Sequence, residues 1–270
     1  MHRFHLPPAD WHPDALRLTG TEAHHARNVL RLELGAKVVL FDGRGYEITA
    51  EITALDGREV ALRKLHESRT PPLRCQITLG QAIPKGKNMD LIVQKAVEIG
   101  AAGIVPIISD RTIVRLAEDD AAQKQTKWQT IAIEAAKQCG QNWLPQVETP
   151  RSLADFFSSV AAVYDRRIPE PTPMIGAHRA PLQPFDLQLI GSLQSDALHL
   201  KKILAEYAEA HGGERPTRVL MLIGPEGDFT PAELNLARSH GCRPITLGPI
   251  ILRVETAAIY CLSVLSYELL

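Results

Sequence analysis

Between residues 37 and 65 apolar and polar positions alternate in three β-rich runs, 37–41, 46–55 and 59–65, separated by Asp42-Gly43 and Asp56-Gly57. A period of two puts successive side chains on opposite faces of a sheet, and Asp-Gly between two such runs favours a tight hairpin turn. Ahead of them, residues 21–32 predict a short helix with Val29, Leu30 and Leu32 apolar among polar neighbours, and Gly35 predicts its stop. The stretch Ser68-Arg69-Thr70-Pro71-Pro72 reads as a linker that cannot continue a sheet ladder. Residues 1–72 therefore form a small antiparallel β unit.

Beyond the linker the pattern changes to short apolar runs alternating with helical periodicity. Strands are expected at 76–83, 103–108, 161–164, 218–223 and 245–247, and helices at 89–99, 128–139, 153–160, 195–210 and 254–269. Met89, Ile92, Val93, Ala96 and Val97 line one side of the first helix, and Gly100 is its C-terminal cap. Prolines recur without periodicity over 166–184, so 166–210 reads as an insertion made of an extended loop and an amphipathic helix. Thr230-Pro231-Ala232-Glu233 spells an N-cap, a first-turn proline and the third-position glutamate of a capping box. Strands alternating with helices imply a mostly parallel α/β sheet over 73–270, with its ligand site beyond the carboxyl ends of the strands.

Composition narrows the function classes. The chain has 270 residues, 45% hydrophobic and 23% charged, which is globular and not fibrous or disordered. No apolar run approaches bilayer length and the N-terminus lacks a signal-peptide layout, so the expectation is a cytoplasmic protein with no membrane partner. Cys75, Cys139, Cys242 and Cys261 are scattered and no His-Glu-x-x-His occurs, so neither a disulfide framework nor a metal site is expected. A net charge of −1 neither advertises nor excludes nucleic-acid binding, because a basic face can be balanced elsewhere.

Two glycine-bearing loops follow late strands, Gly224-Pro225-Glu226-Gly227 and Leu247-Gly248-Pro249-Ile250-Ile251-Leu252-Arg253. Glycine lets backbone approach a ligand closely, so these loops suit a nucleotide-like molecule; either loop alone is also an ordinary strand-to-helix turn. Gly-x-Gly-x-x-Gly and Walker-type phosphate loops are absent, so adenosine would have to be held another way.

The chain resembles the ribosomal RNA small-subunit methyltransferase E family of the SPOUT class, which methylates N3 of a uridine. The resemblance runs in order through His24-His25-Ala26-Arg27-Asn28-Val29-Leu30-Arg31, Leu40-Phe41-Asp42-Gly43, Lys85-Gly86-Lys87 with Met89-Asp90, Lys95-Ala96-Val97-Glu98-Ile99-Gly100 and Asp110-Arg111. It continues through Glu134-Ala135 with Gln138-Cys139, Ile223-Gly224-Pro225-Glu226-Gly227 and Ile251-Leu252-Arg253-Val254-Glu255-Thr256-Ala257. It implies a PUA-like β-barrel RNA-binding domain over 1–72, then a SPOUT methyltransferase domain over 73–270 whose C-terminal segment forms a trefoil knot. It implies S-adenosyl-L-methionine as cofactor, held by Leu222, Gly224, Gly227, Leu247, Gly248, Ile251 and Leu252, and a homodimer acting on 16S ribosomal RNA or the small ribosomal subunit. Three positions depart from the family pattern: Asp228 and Ile250 replace a usual glycine and arginine, and Gln141 stands where arginine often follows the Gln-Cys pair.

Within that frame Arg253, which cannot lose its proton, suits charge developing on a base, or else ties the loop through backbone carbonyls. Glu134, sharing a helix face with Gln138, is the leading general base over a merely solvated glutamate, and Glu226 ranks second because a glutamate before a helix start commonly receives backbone amides. Lys85, Lys87, Arg111 and Arg115 on loops, and His24, Arg27 and Arg31 at helical turn spacing, are candidate RNA contacts; solvated loop cations and a core histidine are the alternatives. Two other readings stay open: a non-catalytic RNA-binding paralogue, and an enzyme of the same class retargeted to transfer RNA or to a ribose hydroxyl.

Overall fold

The computed structural model describes residues 1–112, 118–165 and 185–270, without the side chains of 118–119 and 160–165. The described chain divides into two compact units, Met1–Pro72 with Thr130–Pro145, and Leu73–Gln129 with Gln146–Leu270.

In the first unit, strands β1 (His2–His5), β2 (Arg17–Leu18), β3 (Lys37–Phe41), β4 (Tyr46–Leu55) and β5 (Val60–Arg69) form one sheet in the order β1-β3-β4-β5-β2. Alternation buries Val38, Leu40, Ile48, Ala50, Ile52, Val60 and Leu62 against Phe4, Leu16 and Leu18. Both Asp-Gly turns form; at the first, buried Asp42 accepts the amides of Arg44 (2.7 Å) and Tyr46 (3.0 Å) through Oδ1. The expected linker begins later than the sequence suggests. Ser68 and Arg69 pair with Glu47 and Tyr46, because two register shifts along β4 and β5 carry the ladder past its apolar stretch.

The expected 21–32 helix also changes character. Helix α1 (Gly20–His24) widens into a π-type turn over His25–Val29, where the Leu30 amide reaches the His25 carbonyl at 2.9 Å, and Arg31 closes it at φ 50°. Residues 130–145 complete the unit. Lys137, 9% exposed, pairs with Glu22 at 2.5 Å and Glu134 at 2.8 Å. Asn142 accepts from Arg3 through Oδ1 at 2.5 Å, and its carbonyl receives the Gly45 amide at 3.0 Å.

The second unit holds β6 (Gln76–Ala82), β7 (Gly103–Ile108), β8 (Gln146–Val147), β9 (Arg151–Ser152), β10 (Leu187–Gly191), β11 (Leu198–His199), β12 (Arg218–Ile223) and β13 (Arg243–Thr246). Every described pairing is parallel, in the order β11-β13-β10-β12-β6-β7-β8 with β9 beside β7. The unit's helices are α2 (Asn88–Ile99), the first part of α3 (Glu118–Cys139), which continues into the first unit from Thr130, α4 (Leu153–Asp165), α5 (Leu200–Ala210), α6 (Pro231–Ser239) and α7 (Val254–Leu269). Helices α2 and α7 pack together, with α7 on β6 and β12, while Phe156, Phe157, Leu234 and Ala237 of α4 and α6 join a core with Ala82, Leu220 and Leu222.

Several sequence expectations are corrected here. Helix α3 begins at Glu118 rather than at 128, and 153–164 is one helix rather than a helix and a strand. The helix expected from 195 begins at Leu200, after the short strand β11. The expected insertion over 166–210 contains β10, which lies between β12 and β13 and so belongs to the sheet itself. That strand is five residues long, too short for its buried run to be separated from loop by periodicity alone. Its proline-rich approach, 166–184, lies outside the described residues.

Candidate active site

The carboxyl ends of β10, β12 and β13 open into loops 191–194, 223–228 and 246–253. With Asn88 and the start of α7 they enclose a cavity of about 710 Å³, within the range of small-molecule sites. The two glycines named from the sequence serve different ends. Gly248 has φ 112° and a Cβ there would meet nothing within 4 Å, so its task is conformational and it leaves open space. A Cβ on Gly224 would lie 3.1 Å from the Phe229 amide nitrogen, so that glycine lets its own loop fold tightly.

Asp228 knits two of these loops. It has φ 63°, its Oδ1 accepts the Phe229 amide at 2.7 Å, and its Oδ2 accepts the Leu193 amide at 3.3 Å. Arg253 is the exposed N-cap residue of α7, and its carbonyl accepts the Ala257 amide at 2.8 Å. Its guanidinium therefore stands on a backbone fixed by the first helical turn.

Beside the cavity the loops after β6, β7 and β12 are tied together. Glu226 accepts the Lys85 amide at 2.8 Å, and Arg111 donates to the Gly227 carbonyl. Buried Glu233 accepts the Asp110 amide at 3.0 Å and the Ser109 hydroxyl at 3.1 Å, while closing the Thr230 capping box. Exposed Lys85, Lys87 and Arg111 are thereby gathered at this end of the sheet. Burial pushes the Cys242 and Cys261 thiols up to about 12, and burial with Asp186 takes Cys75 to about 11, so none of these three is a thiolate nucleophile at neutral pH.

Of the expected cofactor residues, Gly224, Leu247, Gly248, Ile251 and Leu252 line the cavity, as does Arg253. Leu222 does not: it is fully buried in the core. Gly227 does not either, its carbonyl being taken by Arg111. Glu134 is not in the lining; it sits in the first unit, paired to Lys137 at 2.8 Å. His24, Arg27 and Arg31 do not share one regular helix; His24 and Arg31 are exposed, while Arg27 donates to the Gly57 carbonyl at 2.6 Å. Arg115 lies outside the described residues. Sequence reasoning missed Asn88, Gly191, Ser192 and Glu255, although Leu189-Ile190-Gly191-Ser192 repeats the strand-then-glycine signal of the other two loops. Among the described residues no group of three or more His, Cys, Asp or Glu side chains could hold a metal, and no helix is long and apolar enough to cross a membrane.

Comparison with known proteins places this geometry. Residues 71–266 match the model of the RNA methyltransferase domain family and residues 18–65 that of the RNA methyltransferase PUA domain. Ribosomal RNA small subunit methyltransferase E of Bacillus subtilis (strain 168) is 29% identical over 93% of this chain and 89% of its own length. The crystal structure of ribosomal RNA small subunit methyltransferase E from Neisseria gonorrhoeae bound to S-adenosyl methionine shares 30% identity and a TM-score of 0.76, covering 99% of this chain and 98% of that one. A Legionella pneumophila protein assigned as a methyltransferase, in complex with the bound cofactor SAM, shares 31% identity and a TM-score of 0.80 over 98% of this chain and 97% of its own.

Proposed function

Because this chain belongs to the ribosomal RNA small subunit methyltransferase E family, we propose that it methylates N3 of a uridine in 16S ribosomal RNA, using S-adenosyl-L-methionine. The observation that carries this reading is the cavity at the carboxyl edge of β10, β12 and β13, walled by backbone-rich glycine loops. Its volume of about 710 Å³ and the open space at Gly248 suit an adenosine-sized group read through main-chain atoms. Gly224, Leu247, Gly248, Ile251 and Leu252 would hold the cofactor, joined by Gly191 and Ser192. When bound, it supplies an electrophilic methyl group on its sulfonium.

The chain's own residues must then orient the uridine and manage the N3 proton. Arg253, at the cavity wall and permanently charged, stabilises negative charge that spreads onto the base carbonyls as that proton leaves. Glu226 takes precedence over Glu134 as proton acceptor within one chain, since it lines the cavity and only its Oε1 is engaged by the Lys85 amide. Lys85, Lys87 and Arg111, with Arg31 on the first unit, are the phosphate contacts of this reading. In this reading residues 1–72, completed by 130–145, act as the PUA-like RNA-binding domain, and the rest of 73–270 as the SPOUT domain with its trefoil knot. The protein works in the cytoplasm as a homodimer, joined through α7, where Tyr260 and Tyr267 are 48% and 88% exposed.

The test is single-turnover methyl transfer to 16S ribosomal RNA at saturating RNA, followed by nucleoside mass spectrometry. Wild type is expected to yield 3-methyluridine, and Arg253→Ala to lower the transfer rate about 10²-fold with little loss of RNA affinity. An unchanged rate would make the arginine structural. A second reading, a paralogue that binds cofactor and RNA without transfer, draws support from Ile250, 73% exposed at the cavity where the family pattern carries arginine. Cofactor binding with no methylated product would favour it.

A further inference from the structure

A second cavity, of about 750 Å³, lies wholly within the first unit and shares no residue with the one above. Its walls include Trp11, Tyr46 and Trp143, and Arg44 and Arg69 flank them. The protein's own contacts hold the Trp143 face of this aromatic platform in place. Trp143 donates its indole N–H to the Thr70 carbonyl at 2.9 Å, and Arg44 and Trp143 form an isolated antiparallel bridge. The indole is seated on Gly45, where a Cβ would lie 2.9 Å from two ring carbons and 2.6 Å from the Thr70 carbonyl oxygen. The Arg69 guanidinium stands 4.9 Å from the Tyr46 ring centroid, a cation–π contact that holds it at the rim.

Neither arginine of the cleft is paired with a carboxylate among the described residues. The cleft's two carboxylates are already engaged: Asp42 receives the Arg44 and Tyr46 amides, and Glu67 pairs with Lys64 at 3.1 Å. Arg44 and Arg69 are exposed and form no ion pair with a described side chain. A concave surface of aromatic faces flanked by exposed guanidinium groups without ion-pair partners among the described residues matches a strand whose bases stack and whose backbone is anionic. A proline-rich peptide could also lie on aromatic rings, but it would leave both cations without a partner.

We infer that this cleft binds an unpaired nucleobase of an RNA strand, stacked against Trp11, Tyr46 and Trp143, with Arg44 and Arg69 on the flanking phosphates. This rests on the reading that the protein acts on RNA, and it adds a second point of grip on the substrate, apart from the methyl-transfer cavity. Stacking uses the face of the base, so the site tolerates base identity and selects for a base that is not paired.

The experiment titrates the full-length protein with a short single-stranded RNA containing 2-aminopurine, and with the same strand made abasic at that position. Quenching of the 2-aminopurine and weaker binding of the abasic strand are expected. Trp11→Leu should weaken binding roughly tenfold while Trp11→Phe retains it, since only the latter keeps an aromatic face. Arg44→Ala, at an exposed side chain, should reduce the slope of log K against log salt by about 0.7, and it decides the matter should the Trp11 variants misfold. S-adenosylmethionine affinity should be unchanged in all three. Wild-type RNA binding in both Trp11→Leu and Arg44→Ala, with ribosomal RNA still methylated, would overturn the cleft and leave the activity standing. A wild-type protein that neither binds nor methylates RNA would overturn both. Displacement of the RNA by a proline-rich peptide of higher affinity would overturn the choice of ligand.

Discussion

Asp228 holds a backbone conformation that costs most L-residues about 1–2 kcal/mol, which explains why the family pattern has glycine there. Aspartate is tolerated because its short carboxylate bonds two nearby amides, one on its own loop and one on the loop after β10. Asp228→Ala keeps the strain and loses both bonds, so a destabilisation of about 1–2 kcal/mol is expected in urea denaturation, with weakened cofactor binding. Asp228→Gly removes the strain along with the bonds and should stay within about 1 kcal/mol of wild type. An alanine variant as stable as wild type would show that the two bonds contribute nothing. The sequence marks Asp228 as unusual but does not reveal its φ angle, because the left-handed turn is imposed by the loop around it.

At the scale of elements, legibility followed locality. The capping box at Thr230 was readable because its partners are three residues apart, and it forms as spelled. The same Glu233 carboxylate also holds Ser109 and Asp110, more than a hundred residues away, and nothing local announces that. Glu233→Ala should therefore cost more than a lost cap, about 2–4 kcal/mol in chemical denaturation, because it also strips buried partners on the loop after β7. Strand β10 was missed for a similar reason, since neighbouring strands distant in sequence define it.

Its start is fastened by Asp186, which accepts the Thr217 amide at 2.8 Å, the Thr217 hydroxyl at 2.7 Å and the Arg218 amide at 3.0 Å. Burial opposes ionisation of Asp186, but the bonds from Thr217 and Arg218 outweigh it and hold the carboxyl below its ordinary 3.8. A pKa depressed on folding contributes stability above the unfolded value, and that stability is lost as pH falls through the folded one. The stability gap between wild type and Asp186→Asn should accordingly be full at neutral pH and shrink below about pH 3.8. A gap that does not change with pH would remove Asp186 as its source.

For the whole molecule, a net charge of −1 means that RNA must be met by local groups rather than by a global field. Arg31 is the cleaner probe on the first unit, because Arg27 is partly committed to the Gly57 carbonyl. Arg31→Ala should flatten the salt dependence of RNA binding and leave cofactor affinity intact. Association should appear in light scattering as a dimer at micromolar concentration, and Tyr260→Asp should dissociate it; a fully active wild-type monomer would refute the α7 interface. The ordered series of short motifs conveyed the family and two of the three loops that wall the cavity, each carried by a few adjacent residues. The aromatic cleft escaped notice because Trp11, Tyr46 and Trp143 lie far apart along the chain.

That the first unit needs residues 130–145 also sets a schedule for its birth. Emerging at about 5–20 residues per second, the chain delivers Asn142 and Trp143 some seconds after the five strands have left the ribosome. Through that interval Arg3 lacks Asn142, Glu22 lacks Lys137, and the Gly45 turn stands bare. The first unit is thus completed only after part of the second has been made, and a nascent chain stalled before Pro145 lacks one of the segments that complete it.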